Sequence, residues 1–294
     1  MRSFLLAVAL VAAGCAGSSP ASDEITVFAT TPILGDIVRN IAGDQVTVEV
    51  LMPVGADPHS FQPSVRQVAD LRDADVVIAN GLDLEESILD ILQDVAQDGT
   101  RLLEVGSLAD PLPFKDAPET LDPHVWLDPV RGIAIAQAVA GELGRLLPAG
   151  AAAFTARQTE YAGRLKAIDA QIATQLASVV NRTIVTNHEA LGYFADRYDL
   201  EVIGSISPGG SSAGEPSGRD LADLADAIEE HGVNAIFTDV GGSRRLAEVL
   251  AGELDRPIAV VEVFTGTFGQ EGSGADTYLG LLETNGARVA EALS

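Results

Sequence analysis

Cysteine, histidine and basic side chains are all scarce in this sequence. One cysteine, Cys15, and four histidines occur in 294 residues. A single cysteine excludes an intrachain disulfide and a cysteine-based metal cluster. The 18 Lys and Arg residues are outnumbered by 43 Asp and Glu, which gives a formal net charge of −25 at pH 7. Such a surface repels phosphate groups, so nucleic acid is excluded as a partner.

Long apolar runs are absent except near the N terminus. There, Phe4–Ala13 follows a basic residue, Arg2, and is too short to span a membrane but long enough for a signal-peptide core. Residues 11–15 resemble a bacterial lipobox, in which cleavage precedes a cysteine that is then lipidated. We predict a signal peptide over residues 1–15, lipidation of Cys15 and a polar tether over 16–23, which places the protein outside the cytoplasm on a lipid anchor. The alternative is an ordinary secretory signal with an incidental cysteine.

From Ile25 onward, short β-branched runs alternate with amphipathic helical stretches, which predicts an α/β fold with mostly parallel sheets. The alternation occurs twice, on either side of a stretch over residues 151–179 that has no proline. Its apolar positions repeat every three or four residues, as on one face of a helix: Tyr161, Leu165, Ile168, Ile172 and Leu176. We predict an N-terminal lobe over 24–148, a rigid linking helix over 149–180 and a C-terminal lobe over 181–294.

Three of the predicted helices each connect two predicted strands that are consecutive in the sequence. They are Leu84–Ala96, Glu189–Tyr198, and a helix that begins near Pro216 and runs through Glu230. Proline is favoured in the first turn of a helix, which is the reason for placing Pro216 there.

Two histidines share a local signature. Asp57-Pro58-His59 and Asp122-Pro123-His124 are each followed, two residues after the histidine, by an aromatic residue, Phe61 or Trp126, and then by another proline. Proline fixes φ immediately before the histidine, and the aspartate lies near enough to accept the second ring N–H, as a metal-bound histidine usually requires. The aromatic ring can shield the site from water. Both histidines are therefore candidate metal ligands.

His188 is a third candidate because a predicted strand, Thr183–Thr186, ends just before it. Ligand sites of α/β sheets gather at the carboxyl ends of strands. His231 differs, because it follows two glutamates and precedes Gly232 at a helix end. We expect His231 to be a solvated C-terminal histidine.

These segments resemble the metal-specific solute-binding lipoproteins of zinc and manganese ABC importers. The matching pieces span most of the chain: DPHSFQPS, DPHVWLDP, TNHEALGYFADRYDL, the EPS of residues 215–217, and GADTYLGLLETN. The resemblance implies two α/β lobes joined by one long helix, with a metal clamped in the cleft between them. It further implies a monomeric binding protein, not an enzyme, that delivers the metal to a membrane permease. His59 and His124 would be ligands from the first lobe and His188 from the second.

The sequence departs from the family pattern at one position. Relatives commonly supply an acidic fourth ligand where this chain has Gly266. Asp239, which follows a predicted strand, is the best substitute, although an aspartate there can equally cap the next helix at Ser243. A water molecule is the third option for the fourth position.

Zinc is the favoured metal. Three imidazoles with one oxygen suit tetrahedral zinc, whereas manganese prefers more carboxylate oxygen. Family members of the manganese type tend to have an acidic residue at the position of His188. Manganese or iron remains the alternative.

Two functions of other classes stay open. A secreted zinc hydrolase also uses three histidines and a water. It would need a general base such as Glu189, but no HExxH pattern is present. A surface adhesin on the same fold is the other, since a fold does not determine a function.

Overall fold

The computed structural model describes residues 25–207, 209–210, 214–240 and 244–294. The predicted signal peptide, the tether, Cys15 and Ser243 lie outside these residues. Within the described chain, none of the helices combines the length and the apolar character needed to cross a membrane.

The N-terminal lobe contains a four-stranded parallel sheet. Its strands are β1 (Thr26–Ala29), β2 (Thr47–Val50), β3 (Val76–Ala79) and β4 (Arg101–Glu104), in the order β2-β1-β3-β4. Its helices are α1 (Pro32–Ala42), α2 (Val65–Arg72) and α3 (Leu89–Gln97). Strand β3 reads VVIA and is buried along its whole length, as expected for a strand covered by helices on both faces.

The C-terminal lobe repeats this arrangement. Strands β5 (Thr183–Thr186), β6 (Glu201–Ser205), β7 (Ala235–Asp239) and β8 (Ala259–Val263) are parallel and ordered β6-β5-β7-β8. Helices α6 (Gly192–Tyr198), α7 (Gly218–His231), α8 (Arg244–Glu253) and α9 (Tyr278–Leu293) belong to this half. The prediction of two α/β lobes with parallel sheets is confirmed.

Two helices connect the sheets: α4 (Pro129–Leu146) and α5 (Ala151–Leu176). With 26 residues, α5 is about 39 Å long. It packs against α4, α1 and the C-terminal α9, and one hydrophobic core extends through these helices into both lobes. The long helix is therefore part of a packed helical layer and does not span open solvent.

Three helices meet at Asp36, a residue of α1, within this layer. The Asp36 carboxylate accepts the hydroxyl of Tyr161 on α5 at 3.4 Å and the backbone N–H of Tyr278 on α9 at 3.2 Å. About three turns further along the same face of α5, Gly286 of α9 allows Ile172 to approach so closely that a Cβ on the glycine would lie 2.5 Å from it. These contacts hold the two lobes in one arrangement.

The predicted helix Leu84–Ala96 begins later than expected. A short 3₁₀ turn, Glu86–Ile88, comes first and α3 starts at Leu89. The cause is Glu85, whose carboxylate accepts the backbone N–H groups of Asn80 and Gly81 and the hydroxyl of Thr30. The Glu85 side chain thus stabilises the preceding loop, and Glu85 is not part of the helix.

Two other helix starts also differ from the prediction. Helix α6 starts at Gly192 instead of Glu189, because Ala190 donates its N–H back to His188 O and forms a turn. Helix α7 starts at Gly218, with Ser217 as its N-cap in a capping box with Asp220. Pro216 therefore precedes the cap and is not in the first turn.

Candidate metal site

The three candidate histidines lie in loops that line the cleft between the lobes. His59 follows β2, His124 precedes the 3₁₀ turn Val125–Leu127 that leads into α4, and His188 lies two residues after β5. All three are buried, with relative exposures of 5%, 1% and 5%. His231 is exposed as the last residue of α7, as expected.

The ligand nitrogens of these histidines converge. Among the residues that the structure describes, they form the group of potential metal donors, and one nitrogen from each ring lies within 4.8 Å of the other two. Nε2 of His124 lies 3.4 Å from Nε2 of His188. Two nitrogens bound to one zinc at about 2.1 Å in tetrahedral geometry are about 3.4 Å apart. The spacing of this pair therefore matches that of two zinc ligands.

Carboxylates orient both members of this pair. Oδ1 of Asp122 accepts the backbone N–H of His124 at 2.9 Å and lies 2.7 Å from Nδ1 of its ring. Oδ2 of Asp239 lies 2.6 Å from Nδ1 of His188. An ionised carboxylate only accepts, so each Nδ1 has the proton, and when both rings are neutral each Nε2 directs a lone pair at the other. Two lone pairs that face each other repel unless a cation lies between them.

Burial and charge set the pKa values of two site histidines in opposite directions. Burial, together with the nearby His124 and His188, lowers the pKa of His59 to about 3. Burial also acts to lower the pKa of His188, but the hydrogen bond and the charge of Asp239 outweigh it and raise that pKa above its ordinary value. For Asp239, burial acts to raise the pKa, yet its bond to His188 keeps the carboxyl pKa below the usual range.

The Asp-Pro-His segment at His59 has different contacts from its twin. Asp57 accepts the backbone N–H of His59 at 3.0 Å and the hydroxyl of Ser60 at 3.2 Å, so it shapes the loop. Oε1 of Glu86 lies 3.9 Å from Nδ1 of the His59 ring. Nε2 of His59 is buried without a hydrogen-bond partner in the described chain. A buried polar atom of this kind is costly unless a ligand engages it.

Asp239, which the sequence suggested as the fourth ligand, is engaged elsewhere. Its Oδ2 atom is at His188 Nδ1, and its Oδ1 atom accepts the hydroxyl of Thr265 at 2.5 Å. It is not a member of the group of converging donors. Asp239 therefore lies behind the His188 ring, on the side away from the Nε2 atom that faces His124.

Trp126 lies between the lobes next to His124. Its ring meets the His124 ring edge to face, with centroids 5.4 Å apart, and its Nε1–H donates to Thr265 O at 2.7 Å. Its own carbonyl accepts the hydroxyl of Tyr278 at 2.6 Å. The aromatic residue of the second Asp-Pro-His segment thus packs on a candidate ligand and also attaches the N-terminal lobe to the C-terminal lobe.

Thr265 is a residue that the sequence reasoning missed. Threonine is not a residue type that by itself indicates hydrogen bonds to both Trp126 and Asp239. Its position directly before Gly266 was the one signal in the sequence that pointed to it. Gly266 itself packs on Pro58, where a Cβ would lie 3.0 Å from the proline Cδ. The loop that lacks the carboxylate therefore closes directly on the first Asp-Pro-His segment.

The histidines line a cavity of about 410 Å³ between the lobes, which also includes Gly266 and Glu215. Glu215 is exposed. Glu189, the candidate general base, lines a different cavity and accepts the backbone N–H of Gly209 at 3.3 Å. Adjacency to His188 in sequence therefore does not bring its carboxylate into the histidine cavity.

Curated relatives align with nearly the whole chain. The zinc-binding protein TroA of Treponema pallidum is 32% identical over 276 residues, covering 91% of this chain and 88% of that protein. The manganese-binding lipoprotein MntA of Bacillus subtilis is 30% identical over 312 residues, covering 100% of both. MntA of Halalkalibacterium halodurans is 29% identical over 287 residues, covering 96% of this chain and 94% of that protein.

The architecture matches as well as the sequence. The solved structure of the periplasmic zinc-binding protein TroA from Treponema pallidum superposes with a TM-score of 0.84 at 29% identity, over 92% of this chain and 99% of that one. The two-lobed fold is thus shared with a protein of known structure. Residues 27–292 match the family model described as zinc-uptake complex component A, periplasmic, and the protein belongs to that family.

Proposed function

We propose that the protein captures a divalent transition metal outside the cytoplasm, zinc in preference to manganese, and delivers it to the permease of an ABC importer. The observation that carries this proposal is the convergence of one buried nitrogen from each of His59, His124 and His188. Neutral imidazole nitrogens are good zinc donors, and three of them leave one position open.

The donor set supports zinc over manganese. The described donors are nitrogen atoms, and the carboxylate of Asp239, which lines the same cavity, already binds His188 and Thr265. Manganese favours oxygen donors. The names of the relatives include both zinc-binding and manganese-binding proteins, so the choice of metal is the part that most needs a direct measurement.

Asp122 and Asp239 have a supporting role in this proposal. Each accepts the Nδ1 proton of one ligand and so fixes the ring with Nε2 toward the metal. Asp57 stabilises the loop that presents His59. A water molecule completes the shell in place of the carboxylate that Gly266 lacks.

A zinc hydrolase is disfavoured by the position of Glu189. A hydrolase needs a base within hydrogen-bond reach of the metal-bound water. Glu189 lines the neighbouring cavity instead, and the family is one of solute-binding components of transporters.

Zinc titration of the mature protein tests the proposal. One zinc should bind per chain, with much weaker binding in His59→Ala and His188→Ala. His231→Ala is the matched control, because it removes a histidine outside the site and should bind zinc as the wild type does. Competition between zinc and manganese then decides the metal, and tighter binding of manganese would reject the zinc assignment. Zinc-dependent hydrolysis of esters or peptides would support the rival function.

The lipid anchor is a separate part of the proposal and rests on residues 1–23. Expression of the full chain in a bacterial host should place it in the membrane fraction, outside the cytoplasm. Cys15→Ser should release it from that fraction while leaving zinc binding intact. If the serine variant stayed membrane-bound, the anchor at Cys15 would be wrong.

A further inference from the structure

Thr265 lies where the two lobes meet beside the three histidines. It follows β8, is 3% exposed, and uses its two oxygen atoms for different partners. The hydroxyl donates to Oδ1 of Asp239 at 2.5 Å. The carbonyl accepts the Nε1–H of Trp126, in the N-terminal lobe, at 2.7 Å. One residue is therefore hydrogen-bonded to both lobes at once.

From Thr265, each connection ends on a candidate ligand. On the C-terminal side, Asp239 holds the His188 ring through a contact of 2.6 Å. On the N-terminal side, the Trp126 ring packs edge to face on His124. A continuous path of contacts thus joins the two histidines whose Nε2 atoms lie 3.4 Å apart.

The separation of the His124 and His188 Nε2 atoms matters because the site has few other features that could discriminate between metals. The loop position that could supply a carboxylate is Gly266, and both oxygens of Asp239 are engaged. With nitrogen donors alone, preference depends on whether their spacing fits the bond lengths and angles of the ion. Binding sites hold such spacing only when neighbouring residues lock the ligand rings.

We infer that Thr265 is a specificity-determining positioning residue, which holds His124 and His188 at the separation that zinc requires and so disfavours manganese. The inference rests on the proposed function of metal capture and adds the residue that sets its selectivity. Thr265 acts through Asp239 and Trp126.

Three threonine variants isolate the hydroxyl. Thr265→Val keeps the side-chain shape and the carbonyl but removes the donor to Asp239, whereas Thr265→Ser keeps the donor. Thr267→Val is the matched control, because the hydroxyl of Thr267 also joins the lobes, accepting the N–H of Gly55 at 2.8 Å. Its partner is a backbone group and not a residue that holds a histidine ring.

The measurement is the affinity of each protein for zinc and for manganese, with the wild type measured first. Thr265→Val should bind zinc about 10-fold more weakly, the lower end of the loss for partners that orient a ligand. Manganese binding should weaken less, so the zinc-to-manganese affinity ratio falls. Thr265→Ser and Thr267→Val should retain the wild-type ratio.

Cobalt(II) provides a second readout that a loss of fold stability would not change. Its visible bands report tetrahedral geometry and should weaken in Thr265→Val and remain in Thr267→Val. Equal losses for zinc and manganese, or an unchanged ratio and cobalt spectrum, would overturn the inference. If Thr265→Val did not fold, Trp126→Phe, which breaks the same path at its other end, gives the same comparison. A wild type that binds no zinc would reject the proposed function instead.

Discussion

Oδ2 of Asp239 lies 2.6 Å from Nδ1 of His188, across two neighbouring strands of the C-terminal sheet. The parallel pairing of β5 with β7 aligns Val185 with Ile236 and brings the ends of the two strands together. The contact fixes the proton on Nδ1 and raises the pKa of His188. It therefore connects metal binding to pH.

The first prediction concerns the acid limb of zinc binding, which is the range of low pH in which zinc affinity is lost. A metal must displace any proton from the ligand nitrogen, so affinity falls as pH falls through the pKa of His188. Because that pKa is raised, the loss should begin at a higher pH than an ordinary histidine would cause. His59, with a pKa of about 3, stays neutral through this range and should not contribute.

Asp239→Asn removes the charge that raises the His188 pKa. The acid limb should move to lower pH, while affinity at pH 8 falls about 10- to 100-fold because the ring is less well oriented. Zinc affinity measured from pH 5 to pH 8 checks both effects. Asp94→Asn, an exposed change on α3, is the control. A limb that stays in place in Asp239→Asn would show that another group governs it.

The second prediction restores the missing carboxylate. Gly266→Asp puts an oxygen donor at the loop that closes on Pro58, so manganese affinity should rise relative to zinc. A Cβ at this position lies 3.0 Å from Pro58 Cδ, which requires a small shift of the loop. Gly266→Ala causes the same shift without a donor and is the matched control. Equal manganese affinity in the Asp and Ala variants would show that the loop does not reach the metal.

Much of this site could be predicted because its signals are local. The proline and aspartate that shape the loop of His59 are its own neighbours in sequence, and so are those of His124. The β-branched runs that form β3 and β5 are equally local. Because these features do not depend on which strands pair, hydrophobic periodicity and sequence motifs were sufficient to predict the two histidine loops and these strands.

The contacts of Asp239 and Thr265 could not be predicted in this way. Asp239 reaches His188 only because β5 and β7 are adjacent in the sheet, and a sequence does not state strand order. Thr265 acts partly through its backbone carbonyl, which every residue possesses. The sequence therefore suggested Asp239 as a ligand, since a carboxylate at a strand end is compatible with either position.

A third prediction concerns Glu85, which is fully buried and connected through Asn80 to the segment before His124. Its two oxygens accept three donors, from Thr30, Asn80 and Gly81. In Glu85→Gln the amide NH2 must face at least one of these donors. The free energy of unfolding should fall by about 1 to 3 kcal/mol, the cost of a buried donor left without an acceptor. Urea unfolding measures the loss, with the exposed Glu49→Gln as control.

Glu85→Gln should also affect the metal site. Asn80, held by Glu85 at its backbone, donates its side-chain Nδ2–H to Pro123 O at 3.0 Å, directly before His124. A shift of Asn80 would therefore weaken zinc binding as well as stability. Loss of stability with fully retained zinc affinity would separate the two roles.

The last prediction addresses how the lobes are held together at Trp126. The hydroxyl of Tyr278, a fully buried residue of α9, donates to the carbonyl of Trp126 at 2.6 Å. Tyr278→Phe removes this donor and leaves a buried carbonyl unsatisfied, so the free energy of unfolding should fall by about 1 to 3 kcal/mol. Tyr198→Phe is the control, because its hydroxyl makes a longer bond of 3.2 Å to the less buried Asp169 and should cost less. Since Trp126 also covers His124, zinc should dissociate faster from Tyr278→Phe. An unchanged dissociation rate would show that the backbone of Trp126 can move without disturbing the histidine.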